Sequence, residues 1–472
     1  MLRVVRLAHH VAFPALTLTA LLIAATAGGG PGGWSVPQGT IAQESAPAEH
    51  VVLVSIDGLR PEFYRDASWP APTLQQMARE GASADGVRGV FPTVTYPSHT
   101  TIITGAMPAR HGIYYNEPFD PDGQTGRWYW EEDLIRVPTL WDAVRTAGGT
   151  SASFFWPVSV GAPVDYNVPE IWSLEAGYGS VDPLRWNDTP DGFVEELESN
   201  ATGPFTDGNL SPDYMTRDLH SAAAVAYTLE TYRPTLVTVH ILGVDHFEHE
   251  DGRDSPRVRQ AVASADAAVH EMIDGAKRAG IVEHTAFVVV GDHGFVDIHT
   301  ALAPNVWLVE AGLREARDDR GDWRAAFHSG VASAFLYLRD PDDTETLQAV
   351  RRILENRPRA ERRLYRIVDR DELVAIGAAP DAALALAFVP GVAYSSAYSG
   401  EALRYTGGGT HGYYPDFAQI ETGFVASGAG VRTGVVVPEM GLEDVAPTIA
   451  QLLGLPFAAP DGTLYPGLFE RQ

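Results

Sequence analysis

The sequence predicts an α/β fold: a central, mostly parallel sheet with helices on both faces, plus a small α+β insertion. Two observations predict it. Apolar, β-branched runs of strand length, at 51–56, 235–242 and 286–290, alternate with longer segments of helical pattern. Each of these runs is followed within a few residues by glycine and aspartate. Open α/β sheets carry their chemistry just outside the carboxyl ends of their strands.

Composition narrows the function. The 472 residues are 45% apolar and 20% charged, the make-up of an ordinary folded protein with ample core. Against 34 basic residues stand 61 acidic ones, a formal charge of −27. Such a surface repels nucleic-acid backbone and anionic membranes. A polymeric nucleic-acid substrate is not expected, whereas a small phosphate ester can still be drawn in by local metal charge. There is no cysteine, which excludes disulfides, thiolate metal sites and a cysteine nucleophile. Any transition-metal site must use His and carboxylate, a donor set that suits zinc or manganese.

At the N-terminus, Arg3 and Arg6 precede an apolar run from Val11 to Ala25, and Ala25-Thr26-Ala27 fits a small-residue cleavage site. Residues 1–27 therefore read as a signal peptide, the run being short and rich in Ala and Thr for a membrane span, with an uncleaved anchor as the alternative. The expectation is an exported protein, periplasmic or extracellular, without a stable membrane anchor. Residues 28–48, rich in Gly, Pro, Ser and Ala, read as a flexible lead-in.

The elements follow in order. Val51 to Ile56 is a buried strand closed by Asp57-Gly58, where Asp57 is a site candidate or a simple turn residue. Pro72 to Gly81 reads as a helix. Pro97 is placed to open a helix running through Ile103, with Thr95 just before it. A hydroxyl at that place is an N-cap or a nucleophile facing a bound anion. Asn116 is a candidate donor to an oxyanion. Thr139–Ala147 reads as a helix and 152–157 as a strand with its exit; 166–210 is irregular, and could supply loops around a substrate. Tyr214–Tyr232 is helical, and the strand Thr235–Leu242 leads to Asp245 and His249, which one helical turn would place on the same side. That spacing equally suits a solvated salt link. The helix Arg257–Ala279 and the strand Ala286–Val290 then bring the chain to Gly291-Asp292-His293-Gly294, whose glycines let both polar side chains reach one centre. Residues 300–400 hold no clear site motif and read as the α+β insertion, a cap or support. A glycine-rich loop at 407–415 presents His411, Phe424-Val425-Ala426 resumes the sheet, and Val445–Leu453 is a closing helix.

Together these segments supply Asp57, Asp245, Asp292, His249, His293, His411 and Thr95, the N/O ligands two adjacent divalent ions would need. Two such ions can clamp the attacking and leaving oxygens of an in-line displacement at phosphorus. Coordination also lowers the pKa of a threonine hydroxyl, so no histidine base is required.

The motifs Ser55-Ile56-Asp57-Gly58, Pro92 to His99, His111-Gly112-Ile113, Phe155-Trp156-Pro157, Asp245 with His249, Gly291 to Gly294 and Thr410 to Tyr413 occur in one order from about Val51 to Leu453. In that set the chain resembles the nucleotide pyrophosphatase/phosphodiesterase family of the alkaline phosphatase superfamily. The resemblance implies an alkaline-phosphatase-like catalytic domain at 49–300 and 401–460, the cap at 301–400 and a tail at 461–472. It implies two zinc ions, one held by Asp245, His249 and His411, the other by Asp57, Thr95, Asp292 and His293. Thr95 would be the nucleophile, forming a phospho-threonine that water releases. Asn116 and the Thr95 amide would stabilise the non-bridging oxygen, and Tyr96 would help hold a nucleobase or leaving group. Two positions depart from the pattern: Gly243-Val244 stand where the family usually carries Glu-Pro, and Glu248 where it carries Gly. These bear on the substrate-facing wall. No basic residue follows Trp156 in 157–162, which favours diesters or pyrophosphates over monoesters. The expected substrate is a small phosphate ester, nucleotides included; the alternative is a phosphomonoester or phosphonate hydrolase on the same two-metal scaffold.

Overall fold

The computed structural model describes residues 47–175 and 178–469. The expected signal segment 1–27 and most of the lead-in 28–48 lie outside the described residues. No described helix is long and apolar enough to cross a membrane.

Eight strands form the central sheet, in the order Val435–Val437, Ala82–Ala84, Phe424–Gly428, Thr285–Val290, His50–Ile56, Leu236–Ile241, Ser151–Phe154, Tyr166–Val168. Only Phe424–Gly428 runs antiparallel to both its neighbours; every other adjacent pair is parallel. The register pairs Val54 with Val239 on one side and Val289 on the other. Residues 51–56 are buried on both faces, which is why the run is continuously apolar rather than alternating. Strand alternation still sorts them: Val52, Val54 and Ile56 join the core under one helical layer, Val51 and Leu53 the core under the other.

The first layer is built on Tyr214–Thr231 and Pro256–Arg278, which pack along each other, and on Pro72–Glu80. The second holds Thr95–Thr104, Leu140–Thr146 and Val445–Leu452. Their starts are chemically marked. Thr139 and Asp142 form a reciprocal capping box, and Asp213 and Ser255 each accept a hydrogen bond from a first-turn amide.

A second sheet, antiparallel, orders Ala325–Ser329, Ser333–Leu338, Leu384–Phe388 and Tyr365–Asp369. The helix Thr344–Glu355, capped by Asp343, contributes Val350 and Leu354 to its apolar cluster.

Two expectations need correction. The helix expected to open at Pro97 starts at Thr95, so Thr95 is its first residue rather than its predecessor. Proline fits the third position because the first-turn N–H groups have no intrahelical partner in any case. The segment 166–210 is not irregular. It holds the edge strand Tyr166–Val168 and short helices at Val181–Asn187, Phe193–Leu197 and Asp207–Leu210, each too short to show a period.

Leu53 sits at the centre of the central strand with no exposed surface. Replacing it (Leu53→Ala) should cost about 2–5 kcal/mol, the range for truncating a buried leucine, read as a lower midpoint in equilibrium denaturation.

Candidate metal centre

Three adjacent parallel strands, His50–Ile56, Leu236–Ile241 and Thr285–Val290, end on the same edge of the sheet. Asp57 follows the first directly. Gly243–Asp251 is a helix that follows the second and carries Asp245 and His249. Gly291 turns the third into Asp292-His293. The glycine is required there: a Cβ would lie 2.1 Å from the Thr422 hydroxyl and 2.6 Å from Leu59 Cβ. His411 arrives from the short strand Gly409–Thr410, which pairs with Val296–Asp297 beside the same edge.

The side chains gather into two groups, Asp245 with His249 and His411, and Asp57 with Asp292 and His293. In the first, His249 Nδ1 lies 3.0 Å from the Gly409 carbonyl and His411 Nδ1 2.9 Å from that of Thr93. A carbonyl only accepts, so both Nδ1 atoms carry the proton and both Nε2 atoms present a lone pair. Those two Nε2 atoms face each other at 3.1 Å, with Asp245 Oδ1 at 3.4 and 3.6 Å. Three lone-pair donors around one point cannot hydrogen-bond one another; a cation satisfies them all. Burial lowers the His411 pKa to about 4, with the neighbouring His249 contributing, so the ring is neutral at ordinary pH and free to ligate.

In the second group His293 Nε2 is 3.2 Å from Asp57 Oδ1 and 3.3 Å from Asp292 Oδ2. Asp292 Oδ1 accepts from the Gly58 and His293 amides at 3.1 and 3.0 Å, which leaves Oδ2 aimed inward. Asp57 Oδ1, Asp245 Oδ1, Asp292 Oδ2 and His293 Nε2 are all buried without a hydrogen-bond partner among the described residues. Burial, then the charges of Asp245 and Asp292, pushes Asp57 well above the usual carboxylate range, and burial pushes Asp292 up to about 7. His293 is held well below its usual value by burial and by His411 and His249. The His293 and His411 rings stack at 3.6 Å, so the two groups adjoin. Orphaned carboxylate oxygens beside neutral imidazoles are what a pair of divalent cations fits.

Thr95 opens its helix next to these groups. The N-cap is Val94, so the threonine hydroxyl does not cap the helix. It makes no hydrogen bond among the described residues, and Thr95 lines a cavity of about 660 Å³ together with Asp57 and Asp245. Asn116 is fixed by accepting from the Tyr96 amide at 2.9 Å, which leaves its own amide group to donate.

Tyr96 is not on the cavity wall. It is fully buried with Ile113, Trp130 and Val158, and its ring meets Trp128 edge-on at 5.0 Å. The aromatic wall belongs instead to Trp128, Phe155, Trp172, Tyr178 and Tyr214. Glu248 also faces elsewhere. Its carboxylate is buried against Arg60, 3.0 Å from Nε, and Arg60 in turn lies over Phe63 and Trp69. Gly243 makes room for Asp218, whose carboxylate accepts from the Leu242 and Gly243 amides at 2.9 Å each and would meet a Cβ at 2.7 Å. Both departures from the family pattern thus have partners in the scaffold.

Three residues of the site escape the sequence. His240, inside the strand Leu236–Ile241, sets Nε2 3.1 Å from Asp57 Oδ2 and Nδ1 3.0 Å from Glu170 Oε2. A histidine in an otherwise apolar strand was the available signal for it. Glu170 carried none. Arg217, the one basic residue among the described residues lining the cavity, lies over the Phe155 ring at 4.3 Å.

Residues 51–414 match the profile of the type I phosphodiesterase / nucleotide pyrophosphatase family. Among curated relatives, human ectonucleotide pyrophosphatase/phosphodiesterase family member 1 is 23% identical over 433 residues, covering 87% of this chain and 40% of that protein. The venom phosphodiesterase of Naja atra is 21% identical, covering 88% and 45% respectively. The chain thus spans less than half the length of these relatives. Human ectonucleotide pyrophosphatase/phosphodiesterase 5 superposes with a TM-score of 0.63 at 18% identity, over 88% of this chain and 97% of that one. The murine protein, solved as an inactive variant in complex with AMP, gives the same TM-score, identity and coverage.

Outer partners of metal ligands orient them and tune their basicity. His240→Ala should lower affinity for zinc about 10–100-fold in a chelator competition, with the far-ultraviolet circular dichroism unchanged.

Proposed function

The chain belongs to the type I phosphodiesterase / nucleotide pyrophosphatase family, and on that premise we propose that it is an exported, metal-dependent hydrolase of phosphodiester or pyrophosphate bonds. The observation that carries the proposal is the Thr95 hydroxyl, without a hydrogen bond among the described residues, at the head of a helix and lining one cavity with Asp57 and Asp245.

Asp245, His249 and His411 would hold one divalent ion and Asp57, Asp292, His293 and Thr95 the other, with zinc the metal this donor set suits. When bound, the ions supply Lewis-acid charge that acidifies the threonine hydroxyl and offsets the negative charge of the phosphoryl oxygens. The chain's residues do the rest. Thr95 Oγ attacks phosphorus, the bond to the leaving oxygen breaks, and a phospho-threonine forms; water then cleaves it in a second displacement that returns the hydroxyl. The Asn116 amide and the Thr95 backbone N–H, the latter at the positive end of the helix Thr95–Thr104, hold the non-bridging oxygen. His240 keeps its carboxylates in place by bridging Asp57 and Glu170, and His99 Nδ1 donates to the Thr95 carbonyl at 2.8 Å, which fixes the first turn of the nucleophile's helix.

The cavity accepts a substrate with a flat apolar part. Trp128, Trp172 and Phe155 offer faces and edges for a base or aromatic leaving group. This supports nucleotides as substrates, in the role Tyr96 was expected to play. A phosphomonoester needs more positive charge than a diester, and Arg217 is the one described residue of the cavity wall that can give it. The catalytic body comprises 49–300 and 401–460, with 301–400 as the cap.

Hydrolysis of bis(p-nitrophenyl) phosphate should exceed that of p-nitrophenyl phosphate, fall on chelation and return with zinc. Faster monoester cleavage would move the assignment to a phosphatase that uses Arg217, and chelator-resistant activity would remove the metal centre. Thr95→Ala should reduce diester turnover by at least about 10³-fold, as loss of a nucleophile does, with the metal load intact.

A further inference from the structure

A second cavity, of about 590 Å³, lies between the loop that follows Asn116 and the antiparallel sheet, away from the metal ligands. Arg314 and Arg320 line it, and both are more than nine-tenths buried. Arginine at that depth is ordinarily paired with a carboxylate. Here neither guanidinium forms an ion pair among the described residues. Arg314 spends Nε and Nη2 on the Glu315 and Arg317 carbonyls, and Arg320 spends Nη1 on that of Asp120. Arg314 Nη1 and Arg320 Nε and Nη2 keep their protons unspent. The guanidiniums are close enough that Arg320 is pulled below its usual pKa first by burial and then by the Arg314 charge.

Of the four carboxylates on the rim, Asp120, Asp122, Asp318 and Asp319, three have partners of their own. Asp319 pairs with Arg317 at 2.7 Å, Asp318 accepts from the Tyr398 hydroxyl at 2.8 Å, and Asp120 accepts from the Asp122 amide at 2.8 Å. Asn305 is saturated: it bonds both ways with the Phe327 backbone and donates to the Tyr394 hydroxyl. Arg320 is held in the left-handed region at φ 61°, and Tyr398 stands 5.4 Å from the Arg314 guanidinium. Backbone strain of this kind persists where the surroundings over-determine it, ligand clamps included.

We propose that this cavity is an anion site, in which Arg314 and Arg320 together bind a phosphate-like dianion borne on a small molecule. Two fixed guanidinium forks match the charge and the oxygen geometry of a tetrahedral dianion, and the volume leaves room for an organic group beside Tyr394 and Tyr398. The site shares no residue with the metal centre, so its occupancy does not depend on the catalytic reading.

Crystals of the metal-loaded protein soaked in tungstate test it. An anomalous peak between Arg314 and Arg320, absent from the R314Q/R320Q variant, is the expected result; no peak in that cavity, or an equal one in the variant, overturns the proposal. In solution, titration of the metal-loaded protein with inorganic phosphate should show a binding event that weakens at least tenfold in the variant, while its circular dichroism stays native. An unchanged titration overturns the proposal, and a variant that does not fold leaves the wild-type soak to decide.

Discussion

Two buried carboxylates, Asp57 and Asp292, with Asp245 beside them, are the constraint around which the molecule is arranged. At an effective dielectric of about 20, each like-charged pair some 4 Å apart repels by roughly 4 kcal/mol, and burial adds to that cost. Proteins meet it in two ways, by protonating a carboxylate or by supplying a cation. The raised values for Asp57 and Asp292 mark the strain in the first solution. The imidazoles of His249, His293 and His411, with Nε2 atoms gathered at the same places, fit the second.

The sheet makes that concentration of charge feasible. Three neighbouring parallel strands end together, so residues separated by up to 236 positions meet as direct followers of rigid elements. Around them the chain invests in orientation rather than in further charge. His240 ties Asp57 to Glu170, and the Gly58 and His293 amides pin one oxygen of Asp292. The Thr93 and Gly409 carbonyls set the tautomers of His411 and His249. Arg60 and Glu248, buried just behind Gly58, form a separate ion pair that closes the back of the site.

Much of this was legible in the sequence, for definite reasons. Asp57, Asp245 and Asp292 could be read because each follows an apolar run that only a doubly covered strand would have. The helices at Thr139–Ala147, Tyr214–Tyr232 and Arg257–Ala279 were readable from pattern, and the structure shows why they begin where they do: Thr139, Asp213 and Ser255 each accept from a first-turn amide, which is local chemistry. What escaped depends on topology. Glu170 reaches His240 across 70 positions and Arg217 reaches the cavity from the face of a long helix, and no local pattern encodes either approach. Tyr96 was misplaced because neighbours in sequence on a helix point in different directions: Thr95 faces the cavity and Tyr96 the core. The two arginines of the second cavity were invisible for the same reason, since Asp120 and Arg320 come together over 200 positions.

The central claim is that the carboxylate and imidazole clusters are a pair of cation sites. Anomalous diffraction on either side of the zinc edge, from protein purified without chelator and supplied with zinc, tests it most directly. The account predicts two adjacent peaks, one among Asp245, His249 and His411 and one among Asp57, Asp292 and His293, with Thr95 at the second. Absence of density in both clusters, with zinc bound elsewhere on the acidic surface, would contradict it.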